Sequence, residues 1–77
     1  MNTAAVSTVA WHPMRDGGSF AEFPGAVEML IEPTASGAWT WSVGKHFVLG
    51  FKHLFSGTTP TEEEAKAQAL SAAALVE

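Results

Sequence analysis

The C-terminal stretch GTTPTEEEAKAQALSAAALVE (57–77) constrains the fold more than any other part of the chain. It opens with Thr59 as an N-cap and Pro60 at the first helical position, where a missing N–H costs nothing. Glu62, three residues after Thr59, completes a capping box. Glu62, Glu63 and Glu64 suit the positive end of a helix dipole, and Glu62 with Lys66 forms an i,i+4 pair in the favourable order. The spacing predicts a helix over 59–76. At about 100° per residue, Ala65, Ala69, Ala72, Ala73 and Val76 share one face. Such a face approaches a sheet closely but brings little bulk. The sheet must therefore supply the volume, and Trp39, Trp41 and the phenylalanines are the candidates.

Residues 26–56 read as antiparallel strands. In AVEMLIE, Val27, Met29 and Ile31 alternate with Glu28 and Glu32, the pattern of a half-buried strand. PTASG (33–37) is dense in turn formers. AWTWSV then places Trp39, Trp41 and Val43 on one face, with Thr40 and Ser42 on the other. A third strand lies in KHFVLGFKHLFS. The chain turns into it either at Gly44 and Lys45 or near Leu49 and Gly50, and the later position is preferred. Its apolar residues fall on both parities: Phe47, Leu49, Phe51 and Phe55 on one, Val48 and Leu54 on the other. One helix covers one face of a sheet. The second face needs the N-terminal segment with Trp11, Phe20 and Phe23, a second copy of the chain, or a partner.

The first 25 residues carry weaker signals. AVSTVAW alternates as a short strand would, and PMRDGGSFAEFPG (13–25) holds two prolines and three glycines, reading as a loop anchored by Phe20 and Phe23. The expected architecture is α+β: one domain over 1–77, partly irregular over 1–25, with an antiparallel sheet of three to four strands over 26–56 packed against one C-terminal helix. A chain of 77 residues without cysteine has no disulfide to supplement a small core. The N-terminus lacks a basic region followed by a leucine-rich run, and no apolar stretch reaches the roughly 20 residues of a membrane helix. A soluble, cytoplasmic protein without a membrane partner is expected.

Catalytic and metal chemistry find few residues. His12, His46 and His53 are scattered, so no metal site and no cofactor are expected. Asp16 is the only aspartate, no serine sits in a nucleophile elbow, and Gly17 and Gly18 lack the lysine of a phosphate loop. An enzyme is not expected. Charge is more informative. The net charge is -4, yet residues 39–57 carry Lys45 and Lys52 with no acid, an aromatic-rich basic island between acidic flanks. Two lysines are a small footprint for nucleic acid, which disfavours direct binding to it. Acidic surfaces suit a basic patch on another protein, including one that normally handles nucleic acid. Candidate partner-binding residues are Glu28, Glu32, Lys45, Lys52, Phe51 and Glu63.

The run GAWTWSVGKHFVLGFKHLFSGTTPTEEEAKAQAL (37–70) resembles the ending of many small bacteriophage and prophage accessory proteins. In those, a W-x-W-x-V strand precedes a second strand, a small-residue turn and an E-E-A-K helix. Trp39, Trp41, Val43, Ser56, Gly57, Thr61, Glu63, Glu64, Ala65 and Lys66 carry the likeness. The resemblance implies a βββα-like fold and a phage-type gene product. Some such proteins, anti-CRISPR proteins among them, act by binding host machinery without catalysis. The functional expectation is a non-catalytic protein that binds a host protein or complex. Its alternatives are a self-associating assembly protein, including a homodimer, and a nucleic-acid-binding module.

Overall fold

A computed structural model describes residues 9–76. Five strands and one helix follow in order: β1 (His12–Pro13), β2 (Ser19–Phe23), β3 (Val27–Pro33), β4 (Trp39–Phe47), β5 (Gly50–Thr59) and α1 (Glu62–Ala73). The strands form one antiparallel meander in the order β1-β2-β3-β4-β5, and α1 lies across one face against β3, β4 and β5.

Five strands replace the expected three to four. The additional ones come from the segment read as a loop. In SFAEF, Ser19, Ala21 and Phe23 stand opposite Ile31, Met29 and Val27, while Phe20 and Glu22 point to the other face. Two of the three inward residues are small, so the alternation carries no hydrophobic signal. The flanking glycines and prolines make tight turns instead of an irregular loop. Over 14–18, Met14 N–H donates to Gly18 O at 2.8 Å and Gly18 N–H donates to Asp16 Oδ1 at 2.9 Å. Over 24–26, Gly25 and Ala26 both take positive φ, 92° and 66°. The strand expected over AVSTVAW lies largely outside the described residues; of its last three residues none is in a strand, and Val9 and Trp11 pack against the core.

The β3–β4 connection forms where PTASG points to it. Thr34 N–H donates to Ala38 O at 2.9 Å, and Gly37 takes φ 93°. The β4–β5 hairpin turns at Val48 and Leu49, close to the later expected position, with Phe47 opposite Gly50. A bulge interrupts this pair: the register steps from Val43↔Phe55 to Gly44↔His53, so Leu54 is an extra residue. The bulge and the tight turn break the simple parity of the third strand. Phe55 stands opposite Val43 on the helix side, whereas Phe51 stands opposite His46 on the other.

The core lies between sheet and helix. Ala21, Val27, Met29, Ile31 and Val43 meet Ala65, Ala69, Ala72 and Ala73, all buried. The alanine face of α1 behaves as its spacing demands. The central bulk comes from Met29, Ile31, Val27 and Val43. Trp39, Trp41, Trp11 and Phe23 pack around the margin, half-buried, and the phenylalanines of the β4–β5 hairpin stay outside. The helix starts two residues later than its sequence frame. Thr61 is the N-cap, its Oγ1 accepting from Glu64 N–H at 3.2 Å. Thr59 instead closes β5 opposite Trp39, buried, its hydroxyl donating to Thr61 O at 2.7 Å.

Candidate functional site

One face of the sheet carries the helix. Among the described residues, nothing covers the other. Cross-strand register defines its occupants: His12 and Phe20 from β1 and β2, Glu22, Glu28, Leu30 and Glu32 from β2 and β3, Ser42 and His46 from β4, Phe51 and Ser56 from β5. The described part of the N-terminal segment, one of the three candidate covers, contributes differently. Of its three large aromatics, Trp11 and Phe23 go to the helix side and Phe20 reaches the uncovered face, its ring 5.2 Å from that of His12.

Three features organise this face. The first is a chain of contacts across β3, β4 and β5. Glu28 Oε1 lies 3.0 Å from His46 Nε2, the His46 ring is 4.7 Å from the Phe51 ring, and the Phe51 ring reaches over Gly44 with its Cζ and Cε2. Gly44 is required there, because a Cβ would collide with the Phe51 ring and lie 2.9 Å from the Lys52 carbonyl. The second is acidity. Glu22 stands directly opposite Glu28, a like-charge cross-strand pair, with Glu32 further along β3. The third is a hydroxyl strip, Thr40 opposite Thr58 and Ser42 opposite Ser56. With Leu30 and Glu32 it borders an open depression of ≈ 300 Å³.

The β4–β5 hairpin projects beyond this frame. Val48 and Leu49 at its apex are 101% and 97% exposed, and the flanking Phe47 and Phe51 are 53% and 52% exposed. Lys45 stands directly opposite Lys52, on the helix-bearing side but nearer the tip than the last buried rung. Lys45 Nζ lies 5.7 Å from the Phe47 ring centre.

The six residues singled out from sequence therefore occupy three places. Glu28, Glu32 and Phe51 share the uncovered face, Lys45 and Lys52 pair on its reverse, and Glu63 is exposed on the first turn of α1. Glu22 joins the face unannounced because β2 was read as a loop, and Leu30 of β3 and His46 of β4 join it as cross-strand neighbours that the sequence reading did not single out for binding. Val48 and Leu49 were counted among the apolar residues that needed cover, although Leu49 also stood at the preferred turn, and the turn leaves both at the apex. No group of three or more His, Asp or Glu among the described residues is placed to hold a metal ion, and no helix among them is long and apolar enough to cross a membrane.

The fold and this face define a small α+β domain, a five-stranded antiparallel meander covered on one side by a single helix. Compared with protein-family models, curated proteins and solved structures, the chain shows no significant match.

Proposed function

We propose that this is a non-catalytic binding protein that engages a basic surface on a partner protein through the uncovered face of its sheet. The observation that carries this is the row Glu22, Glu28 and Glu32, interleaved with Phe20 and Leu30 on a face that no described residue covers. Like charges directly opposed across strands destabilise a sheet, and a cationic partner relieves that repulsion. Apolar area beside the acids gives affinity, while the acids give steering and register. The narrower form of the proposal is a phage-type accessory protein acting in the host cytoplasm on a complex that handles nucleic acid, as an anti-CRISPR protein does. Support for it comes from the resemblance of residues 37–70 and from an acidity that imitates nucleic acid to a basic groove.

The test is affinity capture from host lysate, with and without nuclease, using the native chain beside Glu22→Lys/Glu28→Lys/Glu32→Lys. A stoichiometric protein that survives nuclease and is lost with the charge-reversed face is expected. Equal recovery by both chains removes the acidic face from consideration. Partners that vanish with nuclease return the nucleic-acid module.

A further inference from the structure

Among the described residues, the hairpin tip is the most exposed apolar element, and the fold gives it no role. Turn positions usually hold glycine, asparagine or aspartate, yet here Val48 and Leu49 stand almost wholly in solvent between two half-exposed phenylalanines. Behind them Lys45 faces Lys52 across the strands, and residues 39–61 contain no aspartate or glutamate. An apolar point backed by two cations calls for an apolar recess with carboxylates at one end.

The chain carries such a recess itself. On the outer side of α1, Ala67, Leu70, Ser71 and Ala74 line a shallow, mainly apolar hollow of ≈ 480 Å³. Glu63 and Glu64 stand exposed at its N-terminal end, about one turn before Ala67. The dimensions agree. Three residues of strand separate the lysine pair from the apex, about 10 Å. Seven residues of helix separate Glu63 from Leu70, again about 10 Å. Ala65, Ala69, Ala72 and Ala73 face the sheet, so the hollow faces away from it, and a tip reaches it on another molecule.

We infer that the β4–β5 hairpin of one copy docks on the outer face of α1 of a second copy, Val48 and Leu49 against Leu70 and Ala74, Lys45 and Lys52 beside Glu63 and Glu64. Reciprocated about a two-fold axis, this head-to-tail contact closes a dimer; unreciprocated, it propagates. An anionic bilayer also accepts an apolar tip backed by lysines, but the net charge of -4 opposes that approach. The contact leaves the uncovered sheet face free, so its test is independent of the partner proposal.

The experiment is sedimentation velocity and light scattering of the full chain from micromolar to millimolar concentration. Mass rising above 8.1 kDa with concentration is expected, more weakly at high salt. Leu49→Asp and Ala67→Asp, both at exposed positions and checked for native circular dichroism, each weaken association at least about ten-fold. Each variant retains the surface that the other has lost. Mixed at a concentration where either alone is monomeric, the two associate. A monomer throughout overturns the inference, and so does wild-type self-association by both variants or a mixture that gains no mass. A monomer that sediments with phosphatidylserine-containing vesicles overturns it in favour of lipid.

Discussion

Gly57→Ala destabilises this domain, although the backbone there permits alanine. A Gly→Ala change at a compatible site ordinarily stabilises by about 0.4–1 kcal/mol through the unfolded chain. Here a Cβ would lie 2.6 Å from Trp41 Nε1 and 2.8 Å from Cε2 and Cζ2, whereas non-bonded carbons rest about 3.5–4 Å apart. The indole must withdraw by close to an ångström. Trp41 is not a free side chain: its Nε1 donates to Gln68 Oε1 at 2.9 Å, tying β4 to α1, and it packs against the core margin. Overpacking of this kind costs about 1–3 kcal/mol, and a strained or lost hydrogen bond adds about 0.5–1.5 kcal/mol, toward the lower end at an exposed site. After the unfolded-state gain, the net loss is about 1–3 kcal/mol. For a domain of this length each kcal/mol shifts the melting temperature by about 4–8 °C. The assay is urea unfolding followed by circular dichroism, with midpoints compared at equal slope. The control is the same change in a Trp41→Val background, where the obstruction is gone and Gly57→Ala raises the midpoint. A loss of equal size in both backgrounds, or a gain in the native one, refutes the clash with Trp41 as the cause.

Three further outcomes are expected. Thr61→Ala costs about 1 kcal/mol by removing the cap that receives Glu64 N–H; an unchanged urea midpoint returns the cap to another residue. Ala26→Gly is neutral or stabilising by up to about 1 kcal/mol, against the usual direction, because Ala26 sits at φ 66°, and a thermal melt decides it. Glu22→Gln raises stability by about 0.2–1 kcal/mol by relieving repulsion with Glu28, with the gain shrinking as salt rises.

Legibility in the sequence followed the size of the inward side chains. The alternation of Val27, Met29 and Ile31, and of Trp39, Trp41 and Val43, announces β3 and β4 because the buried residues are bulky. The alanine face of α1 is legible because its spacing is helical and nothing interrupts it. Strand β2 is hidden because Ser19 and Ala21 are its inward residues, and β1 is hidden because two residues form no pattern. The cap frame was ambiguous, since Thr59 with Glu62 and Thr61 with Glu64 both satisfy T-x-x-E. The structure decides between them because Thr59 is taken up by β5, buried and paired with Trp39, which leaves Thr61 to cap the helix. The extra residue Leu54 leaves no mark in composition, yet with the turn at Val48 and Leu49 it sets Phe51 and Phe55 on opposite faces. Of the candidate site, the acids of β3 were legible from alternation. The pairing of Glu22 with Glu28 was not, because it requires a strand that the sequence conceals.

The two like-charge pairs belong together. Glu22 faces Glu28 on one side of the sheet, and Lys45 faces Lys52 on the other, with Glu28 aligned to Gly44 one rung from Lys45. Each pair is destabilising by about 0.2–1 kcal/mol, in a domain whose whole stability is of order 4–12 kcal/mol for its length. Together the two pairs make adjacent rungs acidic on one face and basic on the reverse. If the basic reverse and its apolar tip meet the acidic helix of a second copy, every copy added turns a further acidic face outward. Repetition of that face raises the effective concentration of a weak contact to an extended basic partner. Self-association and partner binding then reinforce each other, although they share no residue.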